Sequence, residues 1–481
     1  MTRPKKIAAI ISEYFRYSHA DVVVGKFLRG FPTDDGLVPA RTQIVSMYVD
    51  QFLEGDIART VAAEFNVPIY PSIRRALTLG GKDLAVDGVL LIGEHGDYPW
   101  NEKEQQIYPR KYFMEQICGV FAESKRAVPI FNDKHLSYNW PDAKWMYDRV
   151  RSLGASLMAG SSLPFGWRSP WLEHELDAPL REAVVIGYDG IDVYGFHTLE
   201  TLQCMVERRV GGESGVAAVT CLEGDAVWRA AAAGRWSLPL AEAAFSQVQD
   251  KPTGTIEEVF PAPAVFLIEY LDGFRAAALM RTDKAGTLDK FAYAAQVGDQ
   301  VQACEIFLGG EPHPHFSYLS LNVEEMFLTG QPTYPVERTL LTTGMLEAVI
   351  DSRYQDYIRI ATPQLVIPYR SYQTLPCRPG PVGRLRRPRI LRQGRLPQLR
   401  RAALRGSLPV ARARRTPRLD HRERVQELRG LGPSARTGGA ARAVAQLAGP
   451  GPHAASPPCR PALRRRSEAG RFGRRRRLEI P

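Results

Sequence analysis

Three successive segments decide how this chain folds: Gln43-Ile-Val-Ser-Met-Tyr-Val-Asp50, Asp56-Ile-Ala-Arg-Thr-Val-Ala-Ala-Glu-Phe65 and Val86-Asp-Gly-Val-Leu-Leu-Ile-Gly93. The first and last are short apolar runs, the pattern of strands buried on both faces. In the middle segment Ile57, Val61 and Phe65 recur at i, i+4 and i+8, one stripe of a helix, with Asp56 in position to cap it. The same alternation continues in both directions. Upstream, residues 6–12 form another apolar run, followed by a helical stretch over 20–28. Downstream come a short third strand at 67–70, a helix at 73–79 closed by Gly80-Gly81, and a helix at 111–124. A fifth strand at 127–133, a helix at 142–153 and a sixth strand at 156–160 complete the series. Buried strands alternating with amphipathic helices define a doubly wound parallel sheet, so residues 1–160 are read as a Rossmann-like α/β domain.

Beyond residue 160 the pattern changes. Two strand-like runs flank Asp272-Gly273, and two more flank Val297-Gly-Asp299, both hairpin signals. Helices at 322–330 and 337–352 and an extended segment at 357–363 follow. Residues 161–370 are therefore expected to form an α+β domain around an open, mostly antiparallel sheet.

The 481 residues carry a formal charge of +11, but unevenly. From Cys377 to Pro481 there are 28 Arg, no Lys and five acidic residues, which leaves 35 basic against 47 acidic residues in the rest. The body is acidic, which argues against a phosphate-backbone partner there. The span 371–481, rich in Arg, Pro and Gly, has no sustained periodicity. It is expected to be disordered, and reads either as the product of a shifted frame in G+C-rich DNA or as a basic arm for nucleic acid. Six scattered cysteines without a CxxC pair indicate reduced thiols. With no apolar run long enough for a signal peptide or a membrane span, a cytoplasmic location without membrane partners is expected.

Three segments resemble the glucose–fructose oxidoreductase/inositol dehydrogenase (Gfo/Idh/MocA) family. Residues 45–93 resemble its stretch from second to fourth strand. Val128-Pro-Ile-Phe-Asn-Asp-Lys-His-Leu-Ser137 resembles its "HVxxEKPLA", with Lys134 at the family lysine. Residues 322–363 resemble its closing helices and strand. The resemblance implies a first domain binding NAD or NADP, a second domain whose open sheet face joins other subunits in a homo-oligomer, and a sugar, polyol or derivative as substrate. Asp192-Val-Tyr-Gly-Phe-His-Thr-Leu-Glu-Thr-Leu202 is similar to "LDLGIHDIDLL", which sets Gly195, His197 and Glu200 on the family's Gly, His and second Asp. Lys134 and His197 are then the charge-stabilising and proton-moving groups, with Glu200 and Asp192 beside them. Asp50 falls where the family meets an adenosine ribose.

The chain departs from that pattern where a dinucleotide binder needs glycines for its pyrophosphate. After the first strand it reads Ser12-Glu-Tyr-Phe-Arg-Tyr-Ser-His-Ala20. Cofactor contacts are accordingly expected from Ser12, Arg16 and Ser18, and from Glu94 and Asp133 at the sheet's carboxyl edge. The segment Glu94-His-Gly-Asp-Tyr-Pro-Trp100 and the segment Asn132-Asp-Lys-His135 converge on that edge. His95, Asp97, Tyr98, Asn132, His135, Ser161 and Ser162 are the substrate-side candidates. Glu94, His95 and Asp97 lack a metal-ligand spacing, and His313-Pro-His315 reads as a surface loop, so no metal is expected. Trp140, Trp145, Trp167 and Trp171 are read mainly as packing residues. Two functions compete: an NAD(P)-dependent oxidoreductase, or a relative without simple dehydrogenase turnover that binds a carbohydrate or works as a lyase or epimerase with a tightly held cofactor.

Overall fold

The computed structural model describes residues 3–283 and 289–380; the expectation for the remainder of the Arg-rich span lies outside them. The first domain runs β1 (Lys5–Ile11), α1 (His19–Arg29), β2 (Phe31–Thr33), β3 (Gly36–Val38), β4 (Thr42–Val49), α2 (Ala58–Phe65), α3 (Ile73–Thr78), β5 (Gly88–Ile92), α4 (Arg110–Glu123), β6 (Ile130–Asp133), α5 (Trp140–Ser152) and β7 (Leu157–Gly160). Its main sheet is five parallel strands in the order β4-β1-β5-β6-β7. Ile7 to Ile11 and Val89 to Ile92 are completely buried, as their unbroken apolar runs require.

Two local expectations change. The third strand, at 67–70, is reduced to a single bridge between Met47 and Ile69, held by Met47 N–H to Pro68 O and Tyr70 N–H to Met47 O. Pro68 has no N–H to extend the ladder. Asp56 does not occupy the cap of α2; Ile57 does, and the Asp56 carboxylate accepts from Ala58 N at 3.2 Å.

The second domain contains β8 (Trp167–Ser169), β9 (Leu180–Tyr188), α6 (Val193–Val206), β10 (Val216–Glu223), α7 (Asp225–Ala232), α8 (Leu238–Gln247), α9 (Ile256–Val259), β11 (Pro263–Tyr270), β12 (Arg275–Arg281), β13 (Phe291–Val297) and β14 (Gln300–Phe307). It ends with α10 (Pro314–Thr329), α11 (Glu337–Tyr354) and β15 (Ile360–Ala361). The eight strands lie in the order β15-β10-β11-β12-β9-β13-β14-β8, and only β12 and β9 pair in parallel. Both expected hairpins are present.

The face of this sheet assigned by resemblance to other subunits is covered by the chain itself. Trp236, Leu240, Ala244, Phe245 and Phe260, from α8 and the segments beside α7 and α9, pack on Val184, Ile186, Val265, Leu267, Leu279 and Ala294. The opposite face carries α6 and α11. α10 returns to the first domain, where Leu319, Val323, Met326 and Phe327 join Ile7, Phe27, Phe31 and Ile44 in one core. The fully buried Glu324 carboxylate accepts from Arg41 N (2.7 Å), Thr42 N (3.0 Å) and Thr42 Oγ1 (3.0 Å), fastening that helix to the start of β4.

Ordered packing runs past residue 370. Tyr369 Oη and Ser371 Oγ donate to the buried Glu207 carboxylate at 2.9 and 2.6 Å, Arg208 donates to Tyr372 O at 2.9 Å, and Asn322 Nδ2 donates to Cys377 O at 2.6 Å. Arg378 pairs with Glu173. No helix among the described residues is long and apolar enough to cross a membrane. The five cysteines among them are free thiols, four of them buried. Hydrogen bonds to a buried charged group contribute about 1.5–3 kcal/mol each. A chain ending at residue 368 should therefore unfold at least about 3 kcal/mol more easily in urea than one ending at 380; equal midpoints would show that residues 369–378 add nothing to the fold.

Candidate functional site

Parallel strands deliver their C-terminal residues to one rim, and the expected polar residues meet there. Glu94 follows β5 and is 2% exposed. Its Oε1 accepts from Lys134 Nζ at 2.8 Å, and its Oε2 pairs with Arg110, the first residue of α4. Burial alone would raise the Glu94 pKa, but the charges of Lys134 and Arg110 override it and hold the carboxyl well below its ordinary value. Ser12, just past β1, donates its hydroxyl to Glu94 O at 2.6 Å.

Lys134 follows β6 with φ +57°, in the left-handed region, and its N–H donates to Gly160 O at 3.1 Å. That bond sets it beside Ser161, whose Oγ lies 2.6 Å from His197 Nδ1 on α6. The Lys134 backbone and the His197 ring thus each bond to the Gly160-Ser161 corner. Burial first, and the Lys134 charge second, keep the His197 pKa well below its usual value, so the ring is neutral. Gly160 is required here. Its φ is +126°, and a Cβ would stand 2.7 Å from Glu200 Oε2 and 2.8 Å from Thr339 Oγ1.

The remaining expected residues take distinct places. Glu200 is buried: Thr339 and Thr342 of α11 donate to it at 3.0 and 2.8 Å, and Ser161 N–H donates to its Oε2 at 3.4 Å, so it ties α6 to α11 and to the corner after β7. Burial raises its pKa. Arg110 donates to His135 Nε2 at 2.9 Å; since arginine only donates, His135 is neutral with its proton on Nδ1, as burial and Arg110 also favour. Asn132 donates to Asp133 O at 3.1 Å and His135 O at 3.2 Å. Asp133 Oδ2 lies 2.7 Å from Nδ1 of His19, the first residue of α1. His95, at φ +69°, sets its ring 5.1 Å from Phe15 and 5.5 Å from His19, and burial lowers its pKa to about 4. Ser162 is buried, its carbonyl accepting from Phe165 N.

A second group lies further along the rim. Asp50 accepts from Tyr48 Oη at 2.5 Å and Tyr98 Oη at 2.9 Å, while Asp97 N–H donates to Gln51 Oε1 at 2.7 Å. Asp192 stands at the start of α6, where burial pushes its pKa up to about 6 and Gln106 N–H donates to it at 3.4 Å. It lines a cavity of about 560 Å³ together with Trp100, Lys103, Asp189, Tyr194 and Arg353. Asp192 Oδ1, Asn132 Oδ1 and His135 Nδ1 are buried without a hydrogen-bond partner.

Sequence reasoning passed over His19, Arg110 and Trp100. A lone Arg opening a helix carries no signal of its own. The indole on the cavity is Trp100, whereas Trp167 is buried and donates to Asp34. His315 is buried on α10 rather than in a surface loop. Among the described residues no His, Cys, Asp or Glu cluster is arranged to hold a metal.

The first turn, where the fold type would hold a dinucleotide's pyrophosphate, uses three of its amides internally. Phe15 N–H donates to Ser18 Oγ (3.2 Å), Tyr17 N–H to Asp21 Oδ2 (3.0 Å) and Ser18 N–H to Phe15 O (3.1 Å), while Tyr14 is wholly buried beneath. Ser18 Oγ also caps α1 at Asp21 N, so neither this hydroxyl nor that of Ser12 is free. The amides of Phe15, Tyr17 and Ser18 are therefore not available to a pyrophosphate. Arg16 alone among the expected turn residues reaches solvent with its side chain, next to Glu311.

No family model matches the chain, and no curated protein matches it. Among solved structures it is similar to GenD2 from gentamicin A biosynthesis in complex with NAD, at 13% identity over 75% of this chain and 97% of that one, with a TM-score of 0.48. It is similar to myo-inositol dehydrogenase from Lactobacillus casei in complex with NAD(H) and myo-inositol, at 9% identity, the same coverages and a TM-score of 0.48. A probable dehydrogenase from Thermotoga maritima shares 12% identity over 75% of this chain and all of that one, at a TM-score of 0.47. The two-sheet α/β plus α+β architecture rests on the strand orders themselves.

Two carboxylates should respond oppositely to neutralisation. Glu94→Gln leaves two buried cations uncompensated and should cost about 3–5 kcal/mol at neutral pH. Because the Glu94 pKa is depressed on folding, that stability is present above the unfolded value near 4.3 and fades as pH falls below it. The Asp192 pKa is raised, so its ionisation opposes folding as pH rises through about 6. Asp192→Asn should therefore stabilise by about 1–2 kcal/mol at pH 8 and by almost nothing at pH 4. Urea midpoints at the two pH values check both signs.

Proposed function

We propose that this chain is an oxidoreductase of the Gfo/Idh/MocA type acting on a sugar, a polyol or a derivative, with NAD or NADP as its redox partner. The observation that carries the reading is the meeting of Lys134 and His197 on either side of Gly160-Ser161, at the carboxyl rim of the parallel sheet. Oxidising a hydroxyl to a carbonyl removes a proton from oxygen and a hydride from carbon. A nicotinamide, when bound, supplies the hydride acceptor.

The chain's own residues account for the proton. His197 is neutral, and with Nδ1 donating to Ser161 Oγ its Nε2 is left to accept from the substrate hydroxyl. Lys134, held in place by Glu94, stabilises the alkoxide that develops. The cavity lined by Asp192, Lys103, Asp189 and Trp100 supports a ligand with hydroxyls and an apolar ring face.

A second reading, in which the fold and polar rim serve carbohydrate binding, or lyase or epimerase chemistry, without simple dehydrogenase turnover, is favoured by one observation: the internally satisfied first turn. Titration with NAD and NADP, followed by absorbance at 340 nm with a panel of sugars and polyols, separates the two. The first reading expects turnover, with kcat reduced about 10²–10⁴-fold in His197→Ala at unchanged fold. A chain that binds neither dinucleotide at millimolar concentration is not a nicotinamide dehydrogenase.

A further inference from the structure

β8 pairs with β14 only at Glu305 to Phe307, because Pro170 follows Ser169 and has no N–H to continue the ladder. Continued in the same register, β8 would set Trp171 opposite Ala303. The chain turns away instead, and between it, β14 and α8 lies a cavity of about 640 Å³. Trp171 lines one side, Ser246 and Gln247 of α8 the second, and Val301, Gln302 and Ala303 of β14 the third.

Each side offers a different kind of contact. The N–H and C=O groups of Val301 and Ala303 point away from β13, since Val297 and Gln300 close the hairpin as a bonded pair, and no strand takes them up. Gln247 Nε2 donates to Ser246 Oγ at 3.0 Å, which joins a carboxamide and a hydroxyl on α8. The half-buried Trp171 indole is held in place by Arg378, whose guanidinium stands 5.0 Å from its centroid. The same Arg378 pairs with Glu173, which also accepts from Tyr372 Oη at 3.1 Å. Burial would raise the Glu173 pKa, but Arg378, Arg168 and Arg208 override it and hold the carboxyl below its ordinary value. Among the described residues that line the cavity Glu173 alone is charged, and that charge is already matched.

We infer that this cavity is a saccharide subsite for an uncharged sugar ring, built from none of the residues at the rim of the parallel sheet. With no cation or anion left over, the lining favours a neutral ligand. An indole beside carboxamide, hydroxyl and free backbone groups suits a ring with an apolar C–H face and hydroxyls around its edge. The volume falls in the range of about 300–1,000 Å³ usual for small-molecule sites. A peptide adding itself as a strand would find the backbone groups of two residues only. Because Arg378 fixes Trp171 and Glu173 before a ligand arrives, little ordering opposes binding. The subsite stands or falls independently of the oxidoreductase reading.

The test is calorimetric titration of the full chain with maltotriose, cellotriose, xylotriose and triacetylchitotriose at up to about 10 mM, and with tetraalanine as a strand-forming control. At least one trisaccharide should bind wild type, and should bind Trp171→Ala about tenfold more weakly. Trp171→Phe, which keeps an aromatic face, should restore most of the affinity. Gln247→Ala should weaken the same trisaccharide about threefold. His197→Ala should leave it unchanged, which separates this cavity from a sugar held at the rim. Circular dichroism verifies each fold, and where Trp171→Ala loses it, Gln247→Ala decides. No binding of any trisaccharide, equal affinity in wild type and Trp171→Ala, loss in His197→Ala, or tetraalanine binding more tightly than every trisaccharide overturns the subsite, even where a polyol is turned over with a nicotinamide.

Discussion

One buried carboxylate between two buried cations organises the rim. Taking Glu94, Lys134 and Arg110 out of water costs several kcal/mol per ion, and the arrangement survives because each charge has a partner at hydrogen-bond distance. The pairing holds Lys134 in a left-handed conformation at the end of β6, and its backbone then meets Gly160 at the end of β7. Everything that follows in space, Ser161, the neutral imidazole of His197 and the anchoring of α6 on α11 through Glu200, is referenced to that point. Arg110 extends the same network to His135 and fixes its tautomer. The positive field of Lys134 beside His197 is thus a consequence of how the strand ends are held together.

Much of this was legible in the residues, because buried parallel strands announce themselves as apolar runs and their C-terminal neighbours are obliged to share an edge. That logic brought Glu94, Asn132, Asp133, Lys134 and His135 to one rim without any structure. It failed where a partner is local to space rather than to sequence. Arg110 opens a helix with no capping signal, and His19 sits among bulky turn residues; each is recognisable only from the carboxylate opposite it. It also failed for Pro68, whose missing N–H reduces an apolar stretch to a single bridge. Residues 225–260, unremarkable in pattern, cover the apolar middle of one sheet face. Glu200 matched a motif by position, and its hydrogen bonds to Thr339, Thr342 and Ser161 are not visible in that motif.

The two domains are less separate in space than in sequence. α10 belongs to the second domain by order and to the first by packing, with Glu324 buried against the start of β4 and Phe327 occupying the room left by Gly88. The segment that leads into α10 is therefore carried to the first turn, where Glu311 and His313 meet Arg16 and Tyr17.

The strand order of the larger sheet has a consequence for its margins. It finishes with β8, which pairs with only Glu305 to Phe307 of β14, so Gln300 to Cys304 keep one side without a neighbouring strand. Polar Gln300 and Gln302 and the short length of that run limit what another strand could gain by pairing there.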